Sequence, residues 1–167
     1  MSSKRFVIIH SKYHENQYNI EKNWRKSMEY KRFEQHIIAR IDKGEEIQEQ
    51  LKAIALKENI QLAHVSALGA VGDFTVGVFK VQEKKYYANT FQGDYEIVSL
   101  TGTITTKDGE YYAHLHMSAG DSEGKVFGGH LNRAVVSATC EMVITVIDGK
   151  VERKLSEEVG LNLFDFS

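Results

Sequence analysis

The apolar positions of this chain follow two rhythms, and the change between them falls near residue 42. Over residues 35–41 they alternate, placing Ile37, Ala39 and Ile41 on one side of a strand. From residue 47 the spacing lengthens: Ile47, Leu51, Ile54 and Ala55 stand at i, i+4, i+7 and i+8, one face of a helix. Asp42 precedes Glu45 by three residues, a capping-box pattern, and Glu45 and Glu46 suit a first helical turn. The helix is expected to end near Asn59. Beyond it the period returns to two. Strands are expected over residues 62–71, 74–81, 86–91, 94–106, 110–118, 134–147 and 151–155. Lys107, Asp108 and Gly109 supply the turn of one hairpin, and Asp148 and Gly149 another. Residues 161–166 are apolar enough to dock on the body. One helix among many strands gives an α+β domain with a mostly antiparallel sheet. Residues 1–31 carry the weakest pattern, with a short strand over residues 4–10 and an irregular stretch over 14–24. The expected organisation is an N-terminal extension, 1–31, ahead of a single domain, 32–167.

Composition narrows the class. With 167 residues, 42% hydrophobic and 26% charged, the chain is long enough to bury a core and is expected to be globular. No apolar run reaches the length of a membrane span, and the apolar stretch after Arg5 is too short for a signal peptide. A single cysteine, Cys140, allows no intrachain disulfide, so a cytoplasmic location is expected. The net charge of -2 argues against strong non-specific binding to nucleic acid. One local exception is Lys22, Arg25, Lys26, Lys31 and Arg32, interleaved with Trp24 and Tyr30. That run reads either as a basic, aromatic contact surface or as a solvated segment.

The chemistry concentrates in three histidines. His114 and His116 stand at i and i+2, so on a strand their imidazoles share a face with Tyr112 and Ser118. Tyr111, Ala113, Leu115 and Met117 take the opposite face, which reads as core. His130 follows Gly128 and Gly129, a pair able to bend the chain back toward the first two. Three neutral imidazoles with an open fourth position suit a divalent transition metal, zinc first. The alternative is a hydrogen-bonded polar cluster. Acceptors for the far ring nitrogens are available in Tyr112, Ser118, Asp121, Glu96 and Glu141.

Glu96 shares strand parity with Val98, Leu100 and Ile104, and a carboxylate on an apolar face is costly unless paired. It is the candidate general base, or else a strand-end residue reaching solvent or an arginine such as Arg40 or Arg133. Glu141 carries the same two readings. Cys140 reads as an inert core thiol. His10, His14, His36 and His64 read as surface or packing residues. The chain has no Walker A, Rossmann or nucleophile-elbow pattern.

Taken together, His114-Leu115-His116, a glycine-containing loop and Gly128-Gly129-His130-Leu131 resemble the plants-and-prokaryotes-conserved domain. The resemblance runs over residues 34–155 and includes Asn59-Ile60, Ser66 to Val71, Glu96 to Gly102, the Asp108-Gly109 turn and Glu141. It implies an antiparallel-sheet fold assembled as a homotrimer, of the stand-alone prokaryotic type. Plant members add an Arg-Gly-Arg-Pro AT-hook for the minor groove; this chain has no such motif and no proline. The expected function is that of a metal-binding homotrimer to which DNA binding attaches by family resemblance. The alternatives are a metal-dependent enzyme or a protein binding a small ligand at the metal.

Overall fold

The computed structural model describes residues 28–167. Its first hairpin joins β1 (Glu29–Phe33) to β2 (His36–Asp42). Phe33 pairs with His36, and Glu34 turns the chain at a φ of 51°. Ile37, Ala39 and Ile41 are buried as their alternation predicts.

The helix α1 (Ile47–Lys57) starts later than the capping pattern suggests. Asp42 is still paired in β2, opposite Thr139, and Glu45 folds its carboxylate back onto the Asp42 N–H at 2.8 Å. The cap is Glu46, which accepts the Glu49 N–H at 2.7 Å and the Ala134 N–H at 2.8 Å. β-type bonding between Glu45 and Val136 postpones the helix until the chain is free of the sheet. Asn59 ends it in the left-handed region at φ 52°. Ile47, Leu51, Ile54 and Ala55 are all buried.

The remaining strands are longer than their sequence pattern. β3 (Ala63–Lys80) and β4 (Lys85–Lys107) each run through an expected break. Register shifts between Val71 and Asp73 take up the irregularity that reads as a turn in sequence. β5 (Glu110–Gly120) follows, then β6 (Val126–Val146), which begins eight residues before the expected 134. β7 (Glu152–Ser156) and β8 (Leu161–Asp165) form a final hairpin, so the apolar tail docks as a strand.

The sheet order is β1-β2-β6-β3-β4-β7-β8, with β5 joined to both β4 and β6. β3, β4, β5 and β6 therefore close on one another in a ring. All pairings are antiparallel except the contact of β7 with β4 at Thr106 and Glu152. Phe74, Phe91 and Phe127 stack at centroid distances of 5.0 and 4.6 Å, and Tyr95 meets Phe74 edge-on. The helix covers one face of the sheet; Leu115, Met117, Cys140, Met142 and Ile144 point into the same core. The alternate residues of those strands, the histidines among them, point the other way.

Candidate metal centre

β5 carries Leu115 and Met117 into the core, and that burial fixes its register: His114 and His116 must face outward on the opposite side. His130, on β6, stands directly across from His116. The ring centroids of His114 lie 5.2 Å from His116 and 5.1 Å from His130, with 5.7 Å between the latter two. One ring nitrogen from each comes within 4.8 Å of the others. Ligand nitrogens around tetrahedral zinc stand about 3.3 Å apart, so small rotations of the rings close the set.

Gly128 and Gly129 act differently from the bend expected of them. The reversal is made by Asp121, whose carboxylate accepts the Glu123 and Lys125 N–H groups at 2.9 Å, with Gly124 at φ +79°. The glycine pair lies within β6 and permits close approach instead. A Cβ on Gly128 would come 2.8 Å from the Met117 carbonyl oxygen, and one on Gly129 would come 2.5 Å from that of Gly77. Their missing side chains let β6 lie between β5 and β3 and bring His130 to the other two.

None of the three imidazoles is hydrogen-bonded to any other side chain among the described residues; only the exposed His64 has such a bond, to Thr101 at 3.2 Å. Burial, helped by His130, Arg153 and His116, pulls His114 down to about 4. Burial, then His116, also lowers His130. Both are neutral near pH 7, with lone pairs free. Three nitrogens converging within 4.8 Å, with no protein hydrogen-bond partner among the described residues, fit a shared cation.

The expected carboxylate acceptors are not at the trio. Glu96 is exposed, because a bulge at Val98 reverses strand parity: Ile97 and Leu100 are buried while Val98 is 61% exposed. It pairs with Gly120, four residues beyond His116, about 14 Å along the strand. Glu141 is exposed on β6 opposite Leu68. Asp121 is engaged with its own turn. Cys140 is fully buried, its thiol pushed up to about 12 by burial and then Glu141. His36 and His64 are exposed, and His10 and His14 lie outside the described residues.

Two neighbours of the trio escaped the sequence. Tyr86 sits edge-on to His130 at 6.0 Å and donates its hydroxyl to the Asn132 side chain and the His130 carbonyl. Arg153 reaches the trio's edge from β7 and is 7% exposed. Both arrive through pairings distant in sequence, and no local spacing announces them.

Known proteins share this arrangement of strands. A protein from Bacteroides thetaiotaomicron, described as a candidate DNA-binding protein, is 30% identical with a TM-score of 0.82; the match covers 84% of this chain and 99% of that one. A metal-containing protein from Archaeoglobus fulgidus is 31% identical with a TM-score of 0.74, covering 83% and 98%. A plant- and prokaryote-conserved protein from Pyrococcus horikoshii is 33% identical with a TM-score of 0.72, covering 83% and 94%. No curated protein matches the sequence. The Plants and Prokaryotes Conserved domain pattern matches residues 28–148, from the first strand to the end of β6 and just past it. The chain therefore belongs to the Plants and Prokaryotes Conserved (PCC) domain family.

Proposed function

We propose that this PCC-domain protein is a homotrimer that binds one divalent metal ion, zinc, through His114, His116 and His130 of each subunit. The observation that carries the reading is the convergence of three imidazole nitrogens within 4.8 Å, none with a hydrogen-bond partner among the described residues. The metal-containing relative from Archaeoglobus fulgidus supports it. When bound, such an ion polarises a water or ligand oxygen in its remaining position and can bring bound water to a pKa of about 7. The chain's own part is to keep His114 and His130 neutral, to orient the imidazoles by the buried Leu115 and Met117, and to leave one side open for a small ligand. Among the described residues no carboxylate joins the trio to serve as general base, which favours binding over hydrolysis.

Elemental analysis of the purified protein tests this. The expected result is one zinc per chain, lost in the His114→Ala, His116→Ala, His130→Ala variant. Equal, tight uptake by both proteins overturns the proposal.

DNA contact is a second reading, supported by the Bacteroides thetaiotaomicron relative. Lys31 and Arg32, on β1, are the described part of the basic run; Lys22, Arg25 and Lys26 lie outside the described residues.

A further inference from the structure

Arg153 is a buried cation with no counter-ion among the described residues. Its Nε donates to the Thr105 hydroxyl at 2.8 Å, Nη1 to the Asn162 carbonyl at 2.9 Å and Nη2 to the Thr103 hydroxyl at 3.4 Å. All three acceptors are neutral. The guanidinium carbon packs 4.8 Å from the Tyr112 ring centroid and 4.4 Å from that of Phe164. Among the described residues no carboxylate forms an ion pair with it. A guanidinium has five N–H donors, so two remain unspent. Burying such a charge unpaired is unfavourable, and buried charges are ordinarily paired with an opposite one.

Its position says where that charge belongs. Thr103 pairs across the sheet with His114, and Thr105 with Tyr112. By bonding both hydroxyls, the guanidinium lies along the edge of the histidine trio, on the same face. A divalent ion there would add two positive charges to a face on which, among the described residues, no carboxylate joins the trio. With the rings of Tyr112 and Phe164 against the guanidinium, the two unspent N–H donors are what a planar carboxylate, with its two oxygens, is suited to accept.

We propose that Arg153 is the anion-recognising residue of the histidine site, and that the site's ligand is a small carboxylate with one oxygen toward the metal position and the other on the Arg153 fork. The metal half of this statement rests on the function proposed above; the Arg153 half stands on its own geometry.

The test uses the full chain loaded with cobalt(II), whose visible spectrum reports its coordination. Acetate and pyruvate should shift that spectrum saturably, and acetamide should not. Arg153→Met should leave the starting spectrum unchanged and weaken acetate about tenfold, as expected for losing a charge-assisted pair; Arg153→Lys should fall between. Equal acetate affinity in wild type and both variants overturns the proposal. Should either variant fail to fold, the metal-free wild type decides. A second readout needs neither metal nor variant: the Arg153 Nε–H resonance of the metal-free protein should move with acetate and not with acetamide. If cobalt fails to bind, the metal reading falls, and this resonance alone judges Arg153; no movement overturns the proposal. If acetate has no effect while Arg153→Met dissociates the oligomer, the carboxylate belongs to a neighbouring copy and the small-ligand proposal is wrong.

Discussion

His114 shows how much a single residue's surroundings can set. Its folded value near 4 lies below the 6.5 of an ordinary imidazole, chiefly through burial. In the metal-free protein the unfolded chain therefore takes up more protons than the folded one between those two values. Stability is complete above about pH 6.5, declines as pH falls, and levels out below about 4. His130 acts in the same direction. Urea midpoints measured across that range should fall with pH, and His114→Gln should flatten the slope. The trio itself was legible in the sequence, because i, i+2 spacing on a strand leaves a side chain only two faces. Its surroundings were not. Glu96 was placed on an apolar face by simple alternation, and one extra residue at Val98 undid that inference. Arg153 and Tyr86 come from strands 39 and 28 residues away from His114 in sequence, which no local pattern links to it.

Among the elements, β5 and α1 were read correctly in kind because their apolar periods are unbroken. The strands expected over 62–71 and 74–81, and over 86–91 and 94–106, each prove continuous, because the breaks between them are irregularities inside paired strands. β6 was read eight residues short for a related reason: Gly128-Gly129 looks like a bend and is instead a place where strands crowd. That crowding yields a direct prediction. Gly129→Ala forces a methyl group against the Gly77 backbone and should cost about 1–3 kcal/mol, the usual range for overpacking. It should also displace His130 and weaken cobalt binding. Gly120→Ala, whose added Cβ meets nothing closer than 3.5 Å, should leave both almost unchanged. Urea denaturation and cobalt titration of the two variants check the contrast.

At the scale of the whole molecule, the sheet face opposite the helix carries an exposed apolar patch beside its polar residues. Ile38, Leu68, Val98 and Val143 stand 45%, 59%, 61% and 36% exposed on four neighbouring strands. A contiguous apolar surface of this kind marks an interface. Light scattering at micromolar concentration should give three times the chain mass, and Val98→Glu with Leu68→Glu should give the monomer. DNA binding is expected to be weak, without strong sequence preference, and to fall steeply with salt. Fluorescence titration at two salt concentrations, with a charge-reversed Lys22, Arg25 and Lys26 variant alongside, measures it; nanomolar, sequence-selective binding would contradict this expectation. No helix among the described residues is long and apolar enough to cross a membrane. The pairing of β3 with β6 joins Ala63 to Val146, across most of the domain. During synthesis, β3, β4 and β5 can zip together as a meander while β3 keeps one edge bare, waiting for a strand the ribosome has yet to deliver. At about 5–20 residues per second that wait lasts several seconds, long compared with the microseconds in which a hairpin forms. Nascent chains of this protein thus pass through an interval in which an apolar strand edge is open to any neighbour, and crowded expression is where misassembly would begin.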